Sequence, residues 1–237
     1  GEGKMTDPEN IINYLNNYLK NINKNKKLKA LVTAGPTHEY IDPIRYISNK
    51  SSGKQGFELA KSLKNNGFET TLITGPTNLE PILDINLIKV NSAKEMFDAT
   101  LENLPTDVAI FSAAVSDWKI QNIEREKIKK EKNINLKLEK NIDILDYVSK
   151  HNSLRPKIVI GFAAETNNLN ENSKKKLSQK NCDWIIANDV SNPSIGFGSD
   201  FNEVTIFYKN KEHEKIAKIK KSLLAEKIVE RVISQIN

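Results

Sequence analysis

Apolar and polar positions in this chain fall into short buried runs that alternate with amphipathic stripes. The first run (Leu28, Ala30, Leu31, Val32) stops at Gly35-Pro36, the mark of a strand that ends abruptly. A helical stripe of Phe57, Leu59, Ala60 and Leu63 begins near Gly53 and halts at Gly67. A second strand over 69–74 ends at Gly75-Pro76, and a weak third lies near 87–90. Ser92-Ala93-Lys94-Glu95 is a capping box that opens a helix to about residue 104. The most apolar strand spans 107–114, and the charged excursion over 118–138, which keeps no helical stripe, reads as a flap or hairpin. A short helix over 142–150, a strand over 157–163, a lysine-rich helix over 168–180 and a strand over 183–188 follow. A polar loop over 191–202 then precedes a hairpin, 204–208 with about 215–219, and a last helix from Ser222 carrying Leu224, Ile228, Val229 and Val232.

Residues 1–27 stand outside this alternation. They carry a helical stripe (Ile11, Ile12, Leu15, Tyr18, Leu19) and then a Lys/Asn-rich stretch over 21–27. The expectation is a tail of some upstream unit, tethered to a second unit over 28–237.

Strands alternating with helices, each strand ending in Gly, Ala or a polar loop, argue a doubly wound α/β fold. The expected architecture is Rossmann-like: a mostly parallel sheet with a β-hairpin or flap extension. Ligands of such sheets gather at the carboxyl ends of the strands, near the point where strand order reverses. Four polar clusters fall at those ends, over 35–53, 113–117, 161–168 and 188–200.

The first cluster is the most informative. Residues 35–53 separate a strand from its helix, where a βα loop usually needs only ~2–6 residues. This long loop carries Arg45, Asn49, Ser51 and Ser52, with Gly53 and Lys54 at the helix start. Backbone N–H groups and the positive end of the helix dipole converge there on an anion. The loop is not a Walker A motif, since Gln55 follows Gly53-Lys54 and Ser48 stands where the first glycine is required. Tyr46 and Lys50 mimic the Tyr-x-x-x-Lys pair of short-chain dehydrogenases, but that pair belongs on a later helix, and chance is the better reading.

Composition narrows the classes. Charged residues are 28% and hydrophobic ones 38%, ordinary for a globular protein able to bury its own core. No run of apolar residues is long enough for a membrane span, and no export signal is visible, so a cytoplasmic location is expected. Cys182 is alone and flanked by apolar residues, which reads as a structural thiol in a reducing compartment. The net charge of +6 follows lysines spread through nearly every loop, and aromatics are only 7%, which disfavours a nucleic-acid-binding module. His38, His151 and His213 are scattered without metal-ligand spacing, so no zinc site is expected and no metal ligand is assigned.

Other candidates keep two readings. Asp117, at a strand end, is a helix cap or a contact to ribose, substrate or metal. Lys127 and Lys129 share one face of an extended segment, as a solvated charge run or as a grip on polyphosphate. Lys176 and Lys180 are four apart on a helix face with no acid between them, mildly unfavourable unless an anion sits there. An NAD(P)-dependent oxidoreductase on the same fold is the alternative enzyme class, although the second strand ends without the acid a ribose hydroxyl would need.

Several motifs in register carry a family resemblance. Thr33-Ala34-Gly35-Pro36-Thr37, Asp42-Pro43-Ile44-Arg45-Tyr46 and Ile47-Ser48-Asn49-Lys50-Ser51-Ser52-Gly53-Lys54-Gln55-Gly56 resemble phosphopantothenate–cysteine ligase. Ser112-Ala113-Ala114-Val115-Ser116-Asp117-Trp118, Glu126-Lys127-Ile128-Lys129-Lys130, Gly161-Phe162-Ala163-Ala164-Glu165-Thr166-Asn167, Asn188-Asp189-Val190 and Gly196-Phe197 continue it to about residue 208. Residues 1–8 resemble the end of the flavin-dependent decarboxylase that bacteria fuse ahead of this ligase, whose FMN would bind in that upstream part. The resemblance implies the second half of a bifunctional enzyme of coenzyme A synthesis. Its partners would be CTP, 4′-phosphopantothenate and cysteine, with Mg²⁺ as cofactor, in a homodimer whose active site lies near the interface.

By motif position, the resemblance implies that Asn49 holds the acyl-nucleotidylate and that Arg45 reaches the pantothenate phosphate of the neighbouring subunit. Gly53, Phe111, Ser112 and Ala113 would line the nucleotide site, with Ala113 also touching substrate. Asp117 would contact nucleotide or pantothenate, and Lys127 would bind triphosphate from the flap. Ile142, Asp143, Ile144, Leu145 and Phe162 would surround base and ribose, while Lys176 and Lys180 would contact phosphates. Two departures are visible: Asn141-Ile142-Asp143 where many bacterial members have Asn-Pro-Asp, and Trp118 in place of a more usual tyrosine.

Overall fold

A computed structural model of the chain describes residues 8–12, 14, 15, 27–130, 135–191 and 198–236. Six strands lie parallel: β1 (Lys29–Ala34), β4 (Glu69–Thr74), β5 (Asn86–Lys89), β6 (Val108–Phe111), β9 (Ile158–Glu165) and β10 (Trp184–Asp189). β11 (Phe201–Tyr208) and β12 (Glu214–Lys220) extend the sheet antiparallel, giving the order β12-β11-β10-β9-β6-β1-β4-β5. The chain winds outward from β1 to β4 and β5, then returns to β6 and winds the other way. Strand order therefore reverses between β1 and β6, and a crevice opens beyond their carboxyl ends.

Both faces of the sheet are covered, which explains the near-continuous apolar runs of the central strands. Ala30, Val32, Val108 and Ile110 point to one core, packed by α1 (Lys54–Asn65) and α5 (Lys221–Ile236) through Leu59, Leu63, Leu224 and Ile228. Leu31, Ala109 and Phe111 point to the other, under α2 (Ala93–Glu102) and α3 (Ile144–Ser149), with Leu177 of α4 (Leu169–Lys180) at its margin. Cys182 is fully buried in this second core, and burial pushes its thiol up to about 12, so it is the structural thiol expected.

Local chemistry sets the boundaries. The Ser92 hydroxyl accepts from the Glu95 N–H at 3.2 Å, as a capping box requires, while Glu95 reaches back to the Asn91 N–H at 2.9 Å. The strand expected over 107–114 is shorter, because after Phe111 the chain leaves the sheet. There Ser112 N–H donates to the Thr33 carbonyl at 3.2 Å and Ala114 N–H to the Gly35 carbonyl at 2.9 Å. The charged excursion is a hairpin at its base, β7 (Trp118–Ile120) against β8 (Leu138–Lys140).

One element was not foreseen. The first crossover holds a second small hairpin, β2 (His38–Tyr40) against β3 (Tyr46–Ser48), with His38 stacked on Tyr46 at 3.7 Å. Buried Asp42 turns it, accepting from the N–H groups of Ile44 and Arg45 at 2.9 and 2.8 Å. Of the predicted N-terminal helix, residues 8–12, 14 and 15 are helical. Tyr18, Leu19, the linker over 21–26 and Gly196-Phe197 lie outside the described residues.

Candidate active site

The crevice at the switch point contains a cavity of about 810 Å³. Its first wall is the N-terminus of α1. Gly53 precedes that helix at φ 77° with no side-chain cap, so the first N–H groups of α1 are left for a ligand. A Cβ on Gly56 would stand 2.5 Å from Ala34 Cβ and 2.6 Å from Ser112 Oγ. Only glycine lets α1 lie this close to the sheet, which is how Gly53, Lys54, Gln55 and Gly56 come to line the cavity.

The second wall is the chain after β6. Asn49 Nδ2 donates to the Ala114 carbonyl at 3.0 Å, joining the crossover after β1 to the one after β6 across the switch point. The Thr37 hydroxyl accepts from Ser116 N–H at 3.0 Å, and Asn141 Nδ2 donates to the Ser116 carbonyl at 2.9 Å. Three loops from distant parts of the sequence are thereby stitched into one rim. Asn141 keeps its bond although Ile142 follows it where proline is common, so the functional group survives that departure.

The third wall comes from β9, α3 and α4. Phe162, Ile142, Ile144 and Leu145 line the cavity beside Asp143, Lys176 and Lys180. Asp143 caps α3, accepting from Asp146 N–H at 2.8 Å, and its other oxygen accepts from Lys180 Nζ at 2.6 Å. Burial works against the charge of Lys180, but the carboxylates of Asp143, Asp146 and Asp117 outweigh it and hold its pKa above the ordinary lysine value. Lys176 pairs with Glu165 of β9 at 3.0 Å. The two lysines are not an uncompensated pair, as the helix alone suggested; their acids come from other elements.

Asn49, Gly53, Phe111, Ser112, Ala113, Asp117, Ile142, Asp143, Ile144, Leu145, Phe162, Lys176 and Lys180 all line this one cavity. Two candidates do not. Arg45 forms an ion pair with Asp42 at 3.0 Å and donates to the Ile128 carbonyl at 2.5 Å, and it is not part of the cavity lining. Lys127 is exposed on the flap segment beside that contact and does not reach the cavity lining.

The cavity is also lined by residues that were not named as site residues from the sequence, although Asn188 falls in the polar cluster over 188–200. Asn188 and Asn202 are 8% and 4% exposed there, and Lys221, the first residue of α5, is 6% exposed. Burial first, then the charge of Lys54, pushes the Lys221 ammonium down to about 8, with Asp200 opposing. Lys54 itself is tied to Asp200 at 2.6 Å. Lys218, Lys220 and Lys221 are close neighbours in the sequence, and nothing in that run marked one of them as facing a cavity.

Among the described residues no group of three or more His, Cys, Asp or Glu could hold a metal ion. Asp117 is nevertheless an exposed carboxylate on the cavity wall. A single carboxylate of this kind fits Mg²⁺ that arrives with a nucleotide, because that ion keeps its waters and phosphate ligands.

A doubly wound sheet with its cavity at the switch point, opened by a helix N-terminus, is an α/β architecture that receives ligands at the carboxyl ends of its strands. The chain belongs to the family described as DNA/pantothenate metabolism flavoprotein C-terminal domain, which it matches over residues 25–236. It is 41% identical over 237 residues to the coenzyme A biosynthesis bifunctional protein CoaBC of Haemophilus influenzae, covering 99% of this chain and 58% of that protein. To the protein of the same description from Escherichia coli K12 it is 37% identical over 241 residues, covering 99% and 59%. The chain thus spans somewhat over half the length of these relatives. The crystal structure of a C-terminal domain of CoaBC superposes with a TM-score of 0.74 at 34% identity, covering 88% of this chain and 95% of that one. A Cab2 mutant in complex with phosphopantothenate-cysteine shares the fold at TM-score 0.71 and 16% identity, covering 97% of this chain and 94% of that one.

Proposed function

We propose that the cavity ligates 4′-phosphopantothenate to cysteine with a nucleoside triphosphate, CTP, as the activating reagent. The carboxylate of 4′-phosphopantothenate attacks the α-phosphorus, an O–P bond forms, and the bond to the β-phosphate breaks with loss of pyrophosphate. The cysteine amine then attacks the activated carbonyl, a C–N bond forms, a proton leaves the nitrogen, and CMP departs. This is the activity named by the resemblance, and membership of the family supports it.

The observation that carries the reading is the Asn49 side chain. It spans the switch point to Ala114 within the cavity that α1's N-terminus opens into. An amide held there offers N–H to the anionic oxygens of the acyl-nucleotidylate, while the N–H groups of α1 receive phosphate oxygens. Phe162, Ile142 and Leu145 supply an apolar slot for a base, and Lys176 and Lys180 face the phosphates with their charges already oriented by Glu165 and Asp143. Mg²⁺, when bound with the nucleotide, would neutralise charge between the two reacting anions. Asp117 is the carboxylate placed to meet it.

Arg45 and Lys127 act from outside the lining in this account. Arg45 serves a neighbouring subunit's pantothenate phosphate in a homodimer, and Lys127 closes over the triphosphate with the flap. The upstream half of the full-length protein would be the FMN-dependent decarboxylase that uses the ligation product. Incubating the chain with CTP, 4′-phosphopantothenate and cysteine should yield the amide product with CMP and pyrophosphate in equal amounts, with ATP less effective. Hydride transfer from NADPH with no consumption of CTP would overturn the reading.

A further inference from the structure

We propose that Leu145, seated on Gly161, is the floor of the base slot and the residue that admits a one-ring base and rejects a two-ring one. The inference rests on the nucleotide reading of the cavity and names the side chain that sets its base preference. Gly161 is buried in the middle of the parallel sheet, opposite Phe111 of β6 and Ile185 of β10. A glycine inside such a strand gives up packing and backbone entropy, and it stands where another group must approach the backbone closely. Here Leu145 of α3 makes that approach. A Cβ on Gly161 would overlap Leu145 Cδ2 and stand 2.9 Å from Ile185 Cδ1.

Leu145 has two sides. It packs against the core that holds Phe111, Ala163 and Ile185, and together with those three and Ala113 it lines the cavity. The five side chains form an apolar recess on one face of the sheet. At Leu145 the depth of that recess is set by one leucine lying on bare backbone. α3 is not free to swing back and deepen it. Asp143 at its start holds Lys180 of α4 at 2.6 Å, and Tyr147 meets Phe97 of α2 edge-on, with ring centroids 4.9 Å apart. Ile144 and Val148 anchor the same helix in the core.

A recess closed by a packed side chain sorts ligands by size, because a larger base must force the leucine into space that is already filled. Truncating a packed leucine leaves an apolar space that can take up an aromatic ring. Leu145→Ala would open that space at the floor, where the second ring of a purine needs it. Cytosine and uracil share one ring size, so the same change leaves the choice between them alone.

The test measures pyrophosphate release with 4′-phosphopantothenate and cysteine, as kcat/KM for CTP, UTP, ATP and GTP. The chains compared are wild type, Leu145→Ala, Leu145→Val, and Leu145→Ala combined with Gly161→Ala. Leu145→Ala should shift the preference toward ATP and GTP by about tenfold or more relative to CTP, the scale on which an apolar pocket discriminates by size. Leu145→Val, a smaller truncation, should move it the same way by less. The ratio of CTP to UTP should stay within about twofold of wild type. Adding Gly161→Ala puts a methyl back on the floor, so the double variant should return toward the wild-type preference, the non-additivity of two residues in contact. Ratios taken on one preparation do not depend on how much of it is folded. The proposal is overturned if Leu145→Ala keeps the CTP-to-ATP ratio within about twofold of wild type, if UTP gains as much as ATP, or if the methyl at 161 leaves the ratio of the double variant unmoved. A wild-type chain that releases no pyrophosphate from any of these nucleotides removes the ligase reading and this proposal with it, an outcome distinct from a chain that uses CTP but is indifferent to Leu145.

Discussion

The buried carboxylate of Asp42 accepts from the backbone N–H of Ile128 at 3.2 Å, across 86 residues of sequence. The same side chain pairs with Arg45, whose guanidinium donates in turn to the Ile128 carbonyl at 2.5 Å. One carboxylate thus folds the β2–β3 turn, orients Arg45 and docks the basic flap. The position of Lys127 depends on Asp42 although the two residues share no motif.

Removing that carboxylate should free the flap without unfolding the sheet. In Asp42→Ala the amides of Glu124 and Ile128 should exchange with deuterium much faster, with the β1 and β6 amides unchanged. Burial alone would raise the Asp42 pKa, but the N–H groups of Ile44, Arg45 and Ile128 and the Arg45 charge outweigh it and hold it below the ordinary carboxylate value. A depressed carboxylate contributes stability that is present above its ordinary pKa of about 3.9 and is lost as pH falls through the lower folded value. Flap protection should therefore persist from pH 7 to about 4 and fail only below.

Asn49→Ala should lower the ligation rate by about a hundredfold, the scale for losing one preorganised donor to a developing anion. Asn49→Asp should be at least as severe, since it sets a carboxylate against an anionic intermediate. Neither change touches the core, so melting temperatures should stay close to wild type. Normal turnover in either variant would remove Asn49 from the site.

Lys127→Gln should slow the first half-reaction, read as pyrophosphate release, with little effect on stability because the residue is exposed. About a tenfold loss is the scale for one charged donor to a phosphate. An unchanged rate would reduce the flap lysines to a solvated charge run.

Gly56→Ala tests the close approach of α1 to the sheet. The added methyl would meet Ala34 Cβ at 2.5 Å and Ser112 Oγ at 2.6 Å, and Ala34 belongs to β1. Overpacking of this kind costs about 1–3 kcal/mol. A lowered melting temperature and weaker nucleotide binding should appear together, because shifting α1 moves both the core contact and the anion-binding N-terminus.

What the sequence made legible was what short-range chemistry controls. The Ser92 cap, the Gly67 stop and the apolar run at β6 announce their elements, and their alternation gives the doubly wound sheet. Four polar strand ends pointed to one site, and one cavity collects them. The β2–β3 hairpin was hidden because its turn depends on a buried aspartate, and its strands are only three residues each. The partners of Lys176 and Lys180 were hidden for a related reason. Glu165 lies on β9, which runs beyond its expected end, and Asp143 caps another helix, so neither appears in the spacing along α4. Lys221 was lost in a lysine-rich stretch whose members differ only in what the fold places beside them.

The most direct test of an activating cleft is pyrophosphate released from CTP and 4′-phosphopantothenate with cysteine left out. The account predicts a rapid burst approaching one equivalent per site, abolished when 4′-phosphopantothenate is withheld and followed by CMP only when cysteine is added. Folded protein that releases pyrophosphate only in the presence of cysteine would contradict a separate acyl-nucleotidylate held by Asn49.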